Sequence, residues 1–276
     1  MKARKIIIAV APVAHVGSSI PSGAKNPLSP EEVAQDVLNC ARAGASVVHL
    51  HVRDSKGNQV ANLKNYVKTL DLIRAESDII IQGSTGGVST LSLEDRCVSV
   101  AEPRSQMGSL NMGSTNFGET VYVNSLSDIR FWAEKMAQNR VVPELVIFDL
   151  GMLGTAEKLW AEGVLKKPLS YTLVLGVEGA FEASAENIFY FRDSLPAGAV
   201  WGVIHDNMKD MSLLAAALGF GAGAVRVGFE DSFFYAPGKV AESNAELVER
   251  LAALVRHMGF EPATVKEAKK ILKILK

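Results

Sequence analysis

Val47-Val48-His49-Leu50-His51-Val52-Arg53-Asp54 begins as a buried strand and ends as chemistry. Its apolar, β-branched start is how a strand covered on both faces of a parallel sheet reads. Side chains alternate along a strand, so His49 and His51 point the same way. Two imidazoles on one face, two residues apart, can grip one metal ion. Arg53 continues on that face, and Asp54 begins the following turn. On this stretch alone a second reading stays open, in which both histidines are core residues bonded to backbone carbonyls.

Working outward, strand-like and helix-like segments alternate from end to end. The strands read as Ile6–Ala11, Ser46–Val52, Ile79–Gln82, Met107–Asn111, Leu145–Phe148, Tyr171–Leu175, Ala199–Ile204 and Ala224–Gly228. Between them the spacing predicts helices from Pro30 to about Ala43, then over Tyr66–Glu76, Ser92–Val100, Ser127–Asn139, Thr155–Glu162, Ala185–Asp193 and Met211–Leu218. Asn244–Met258 and Thr264–Leu275 follow as extra C-terminal helices. The first helix has a complete start signal: Ser29 as N-cap, Pro30 at the first helical position, then Glu31 and Glu32 near the positive end of the dipole. Eight strands each followed by a helix argue for an α/β fold of the (β/α)₈ TIM barrel type, one catalytic domain over residues 1–276. An open doubly wound sheet would want a G-x-G-x-x-G turn after the first strand, and Pro12 to Gly23 does not supply it.

Composition narrows the partners. A formal charge of −1 over 276 residues offers no electrostatic case for nucleic acid or an anionic membrane surface. The 48% apolar content suffices for a large core, yet no stretch is long and apolar enough to span a bilayer. The basic start Met1-Lys2-Ala3-Arg4-Lys5 leads into a short apolar run that reads as the first strand, not a signal peptide. Two cysteines, Cys40 and Cys97, make neither a disulfide framework nor a C-x-x-C site, which points to a reducing, cytoplasmic setting.

In a TIM barrel the active site lies where the strands end. Here those ends carry His49 and His51, Ser84, Ser109 and Asn111, Asp149, Glu178, His205, Arg226, Glu230 and Asp231. Buried unpaired polar groups cost about 1–3 kcal/mol each, so a ring of them reads as a functional face. Glu230 ends the last strand, which barrel closure returns to the first two, and it is the best third ligand for a divalent ion beside His49 and His51. A His₂Glu set suits zinc. Taken singly, Glu230 also reads as an exposed helix-capping acid. Asp149 is a weaker ligand candidate or an orienter of a histidine. Arg226 reads either as a bidentate clamp for a substrate carboxylate or as the holder of Asp231. Asp231 is a plausible general base. Ser84 and Thr85, in a glycine-rich strand end with Gly86, can offer hydroxyl and backbone donors to an anion.

Several long motifs, in order, resemble the β-keto acid cleavage enzymes. They are Val48-His49-Leu50-His51-Val52-Arg53, Gln82-Gly83-Ser84-Thr85-Gly86-Gly87, Leu110-Asn111-Met112-Gly113-Ser114-Thr115-Asn116-Phe117-Gly118 and Arg226-Val227-Gly228-Phe229-Glu230-Asp231. Val142-Pro143-Glu144 and Ala241-Glu242-Ser243-Asn244-Ala245 extend the likeness nearly end to end. The resemblance implies a zinc-dependent TIM barrel, a homo-oligomer with a tetramer favoured. It implies condensation of a β-keto acid with acetyl-CoA, releasing acetoacetate and a new CoA thioester. Carried over, the zinc ligands fall on His49, His51 and Glu230, and the general base on Asp231, oriented by Arg226. Ser84 and Ser109 fall where family members hold the carboxylate and keto end; Thr85, Gly86 and Asn111 complete the expected site. Three departures bear on substrate choice. An acid that fits a substrate amino group is replaced by Ala14-His15-Val16-Gly17. A Gly-Val-Pro-Gly-Gly turn becomes Gly176-Val177-Glu178-Gly179-Ala180, and a glycine-rich turn becomes His205-Asp206-Asn207. His15, Glu178 and His205 are therefore expected to line a specificity pocket.

Two other functions compete. A metal-dependent hydrolase of the amidohydrolase type also uses H-x-H, but on its first strand and with a metal-bridging lysine near the fourth. Here Met107 to Gly113 has no lysine. A non-catalytic small-molecule-binding barrel would not need His₂Glu beside an Asp–Arg pair.

Overall fold

The computed structural model describes residues 3–87 and 91–275; Met1 and Lys2 of the basic start lie outside the described residues. Eight parallel strands form the barrel: β1 (Lys5–Val10), β2 (Val47–Leu50), β3 (Ile80–Gly83), β4 (Met107–Asn111), β5 (Val142–Ile147), β6 (Ser170–Leu175), β7 (Val200–His205) and β8 (Ala224–Val227). The ring closes where β8 pairs with β1, Ile7 opposite Ala224 through Val10 opposite Val227. A helix follows each strand. The first, Pro30–Ala43, has the expected cap: Ser29 Oγ accepts from the Glu32 amide while the Glu32 carboxylate accepts from the Ser29 amide.

Alternation sorts the barrel interior into layers. Ile7, Val47, Ile80 and Met107 face inward at the bottom, where Ala268 and Leu272 of the C-terminal helix Val265–Leu272 plug the opening. Two residues further up, the same parity brings in His49, Gln82, Ser109, Glu144, Thr172 and Arg226. The next step brings in His51, Ser84, Asn111, Val146, Val174 and Ile204. The odd-numbered or even-numbered set of each strand thus carries an apolar plug below and the chemistry above.

Three features differ from the expectation. Residues 92–100 do not make one helix; Leu93–Arg96 and Val98–Ala101 are single turns meeting at Cys97, whose φ of −112° and ψ of 13° leave the helical well. Strand β5 starts at Val142, because Val142, Pro143 and Glu144 pair with Met107, Gly108 and Ser109. The loop after β4 folds into a hairpin, Thr115–Phe117 against Thr120–Tyr122, turning at Gly118 with φ +57°.

Candidate active site

His49 and His51 both aim into the mouth of the barrel. Their Nε2 atoms are 3.3 Å apart; Glu230 Oε1 lies 3.6 Å from His49 and Oε2 lies 3.4 Å from His51. One ligand atom from each residue falls within 4.8 Å of the other two. The free side of each imidazole is fixed by a glutamine. His49 Nδ1–H donates to Gln82 Oε1 at 2.7 Å, and Gln82 Nε2 donates onward to Glu144 at 2.9 Å. The Gln59 amide sits 2.8 Å from His51 Nδ1. Donation from Nδ1 leaves the His49 Nε2 lone pair for an ion; His51 offers its own Nε2 lone pair once the Gln59 amide turns its oxygen to Nδ1, and the donor set of two nitrogens and a carboxylate fits zinc. Gln59 reaches His51 because Asp54 shapes the intervening loop: its carboxylate accepts from the Lys56 and Asn58 amides and from Asn58 Nδ2.

Burial lowers both histidine pKa values, His49 to about 4, against the pull of Glu230. Burial thus favours the neutral imidazole, the form a metal ligand must take. For Glu230, burial alone would favour the neutral acid, but His51, His49 and Arg226 outweigh it and hold the carboxylate ionised.

Arg226 takes the second of its two sequence readings. Its Nε donates to Asp231 Oδ2 at 2.9 Å and Nη2 to Oδ1 at 2.5 Å, a bidentate pair, with Glu230 3.4 Å from Nη2. Burial works against the guanidinium's charge, yet Asp231 and Glu230 raise its pKa above the ordinary value. Burial pushes Asp231 up despite Arg226. Gly228 sets this corner: its φ is +142°, and a Cβ there would lie 2.2 Å from the Ala11 carbonyl oxygen. Only glycine lets the chain turn that close to β1. Asn244 then accepts from the Phe229 amide and donates to Pro12 O and Asp36, tying the β8 loop to the β1 loop.

The cavity is about 400 Å³. Of the expected residues, His15, His49, His51, Ser84, Gly86, Ser109, Asn111, Arg226, Glu230 and Asp231 line it. Ser84 Oγ accepts from the Gly86 amide at 3.0 Å, leaving its own hydrogen to donate. Thr85 is fully buried behind the wall, its hydroxyl on Ser109 O and its amide on Ser109 Oγ. Glu178 is exposed on the turn after β6, against the hairpin tip. His205 is not on the wall either: alternation along β7 turns Ile204 and Asp206 inward and His205 outward. Asp149 is exposed and caps the helix Gly151–Ala161 by accepting from the Met152 amide. Arg53, expected on the histidine face, donates to Gly57 O and borders a separate small cavity.

Residues not anticipated complete the site. Gln82 and Glu144 lie two positions before Ser84 and Val146, so counting back by two finds them. Asp206 sits beside Asp231 and Arg226; burial and then Asp231 raise its pKa to about 7. Tyr122, from the hairpin, accepts from Asn111 Nδ2 at 3.0 Å, and no period-two signal marked it. Arg96 joins hairpin to strand end: it donates to Thr85 O, Val123 O and Asn124 Oδ1, with Trp132 stacked 4.2 Å from its guanidinium carbon.

A family model for beta-keto acid cleavage enzymes matches residues 5–274. The chain is 35% identical over 252 residues to a 3-keto-5-aminohexanoate cleavage enzyme of Fusobacterium nucleatum subsp. nucleatum, covering 91% of each. It is 29% identical over 296 residues to a 3-dehydrocarnitine:acetyl-CoA trimethylamine transferase of Rhizobium meliloti, covering 99% of this chain and 98% of the relative. Among solved structures the apo form of ObcA superposes with a TM-score of 0.73 at 20% identity. That match covers 90% of this chain and 65% of ObcA, and it speaks for the barrel alone.

Proposed function

The chain belongs to the beta-keto acid cleavage enzyme family, and from that premise we propose that it is a zinc-dependent acyltransferase. It takes a β-keto acid and acetyl-CoA and returns acetoacetate and a new CoA thioester. One observation carries the reading: His49, His51 and Glu230 converge within 4.8 Å directly beside the bidentate Arg226–Asp231 pair. Relatives named for transfer to or from acetyl-CoA support the co-substrate.

When bound, a divalent ion held by those three side chains supplies Lewis acidity and balances charge developing on a carbonyl oxygen. The chain's own groups do the rest. Asp231 accepts a proton from the methylene between the keto and carboxylate groups, and Arg226 keeps its carboxylate aimed. Ser84 and Ser109 donate hydroxyl hydrogens to the keto acid's carboxylate and keto end, and Asn111 borders the same end. The methylene carbon bonds to the acetyl carbonyl carbon; the CoA thiolate leaves it and adds to the keto carbon, and retro-Claisen cleavage of the bond between keto carbon and methylene carbon releases the new CoA thioester and acetoacetate, whose methylene takes back the proton held by Asp231. The hydrolase reading needs a metal-bridging lysine, and no lysine lines the cavity among the described residues. A homo-oligomer, a tetramer, and a cytoplasmic setting belong to the same proposal. The free, buried thiols of Cys40 and Cys97 support the latter.

The test mixes protein, zinc, acetyl-CoA and a panel of β-keto acids. Acetoacetate and an acyl-CoA should appear in equal amounts, and only with acetyl-CoA present. Product formation without acetyl-CoA would point to a hydrolase, and no turnover of any acid would leave a binding protein.

A further inference from the structure

Neither the metal set nor the Arg226–Asp231 pair uses the far side of the cavity. There, three adjacent strands turn hydrocarbon inward: Val146 on β5 with Phe148 just after it, Val174 on β6 and Ile204 on β7, each at least nine-tenths buried. The hairpin roofs them. Its Tyr122 ring lies 6.3 Å from that of Phe148, edge to face, and the Phe117 ring lies 6.1 Å from Tyr122.

We propose that this apolar wall seats the tail of the β-keto acid, and that the tail is an uncharged hydrocarbon chain or ring. The proposal rests on the acyl-transfer reading above and deepens it. A tail attached to a keto carbon near Glu230 and carrying its carboxylate toward Ser84 and Asn111 has its other substituent directed across the barrel, toward β5 to β7. An ionic group there meets no countercharge from Val146, Phe148, Val174 or Ile204, and burying an unpaired charge is strongly disfavoured. A hydrocarbon meets four aliphatic or aromatic surfaces and gains by burial. Among the described residues, Asp206 is the ionisable group that stands on the seam. It stands next to Arg226 and Asp231, and one of its oxygens already accepts from Asn207 Nδ2 at 2.7 Å. A cationic tail paired with Asp206 is the rival, and the test includes it.

The zinc-loaded protein is assayed with three β-keto acids whose tails are an uncharged propyl group, a terminal carboxylate and a terminal ammonium. The kcat/KM for the propyl acid should exceed both others by roughly 100-fold. An equal or higher value for either charged tail overturns the proposal while leaving the acyl-transfer reading intact. Ile204→Ala should then lower kcat/KM for a pentyl tail by about tenfold more than for a methyl tail, a ratio that a general loss of stability does not move. If no acid of any kind turns over, the acyl-transfer reading fails by itself. Calorimetric binding of the same three acids still decides the tail: tighter binding of the propyl acid upholds the proposal, and equal or tighter binding of a charged one overturns it.

Discussion

The two sides of the cavity are built on the same alternation and do opposite things. From β8 round through β2 to β4, inward positions carry Arg226, His49, His51, Ser84, Ser109 and Asn111, and a neighbour fixes at least one polar atom of each. From β5 to β7, the upper inward positions carry Val146, Phe148, Val174 and Ile204. Low local polarity on one side strengthens the electrostatics of the other, since hydrogen bonds and ion pairs gain as water is displaced. In the reading proposed above, one arc reacts and the opposite arc discriminates.

That division can be broken most severely on the reactive side. Glu230→Gln should strip bound zinc, measured by metal analysis, and with it all turnover. Asp231→Asn should keep its zinc but lose turnover by about 10²–10⁴-fold, the usual worth of a positioned general base. If both variants keep full activity, the polar arc is not the reactive one.

A second break is mechanical. Gly228→Ala would press a methyl against Ala11 O, 2.2 Å away, at a φ of +142°. Strain and overpacking together should lower the unfolding free energy by about 4 kcal/mol in a denaturant titration. The corner holding Glu230 and Asp231 should be lost with it, while an unchanged midpoint would mean the corner is slack.

The smallest effect sharpens the boundary, where Asp206 stands. Its carboxyl goes from 3.8 in the unfolded chain to about 7 in the folded one, through burial and then Asp231. The native state holds a proton that the unfolded chain releases, so this group's contribution is intact below about pH 4 and is lost as pH rises through about 7. Asp206→Asn removes that loss. Relative to wild type, the metal-free variant should gain roughly 2 kcal/mol in unfolding free energy between those limits. The comparison cancels the opposite trend from His49, whose pKa is held down to about 4. A difference independent of pH would place Asp206 in water, outside the seam.

How legible each arc is in the sequence follows from its chemistry. Polar side chains at the end of an apolar strand are costly unless used, so His49, His51, Arg226, Glu230 and Asp231 stand out against their neighbours. Val146, Val174 and Ile204 do not, because an apolar residue facing a cavity has the same identity as one facing a helix. At the end of β7 parity outranks residue type: Ile204 faces inward, so Asp206 does too and His205 does not. The hairpin was illegible for a different reason. Its strands are three residues each, and Phe117 and Val121 stay exposed, so no buried periodicity announces them. Asp149 has the same signature as a site acid at a strand end, yet its carboxylate accepts from the Met152 amide at the start of the next helix.

The Tyr122 hydroxyl occupies the space that a Cβ on residue 86 would fill, 2.5 Å away, and Ser84 Oγ lies 3.1 Å from that same point. Roof and floor are therefore keyed into each other at one atom. Anyone recombining this barrel with a relative to alter its substrate range has to exchange the 82–87 loop and the 115–122 hairpin as a matched pair. A donor loop with any side chain at 86 would lift the cover and flood the chamber.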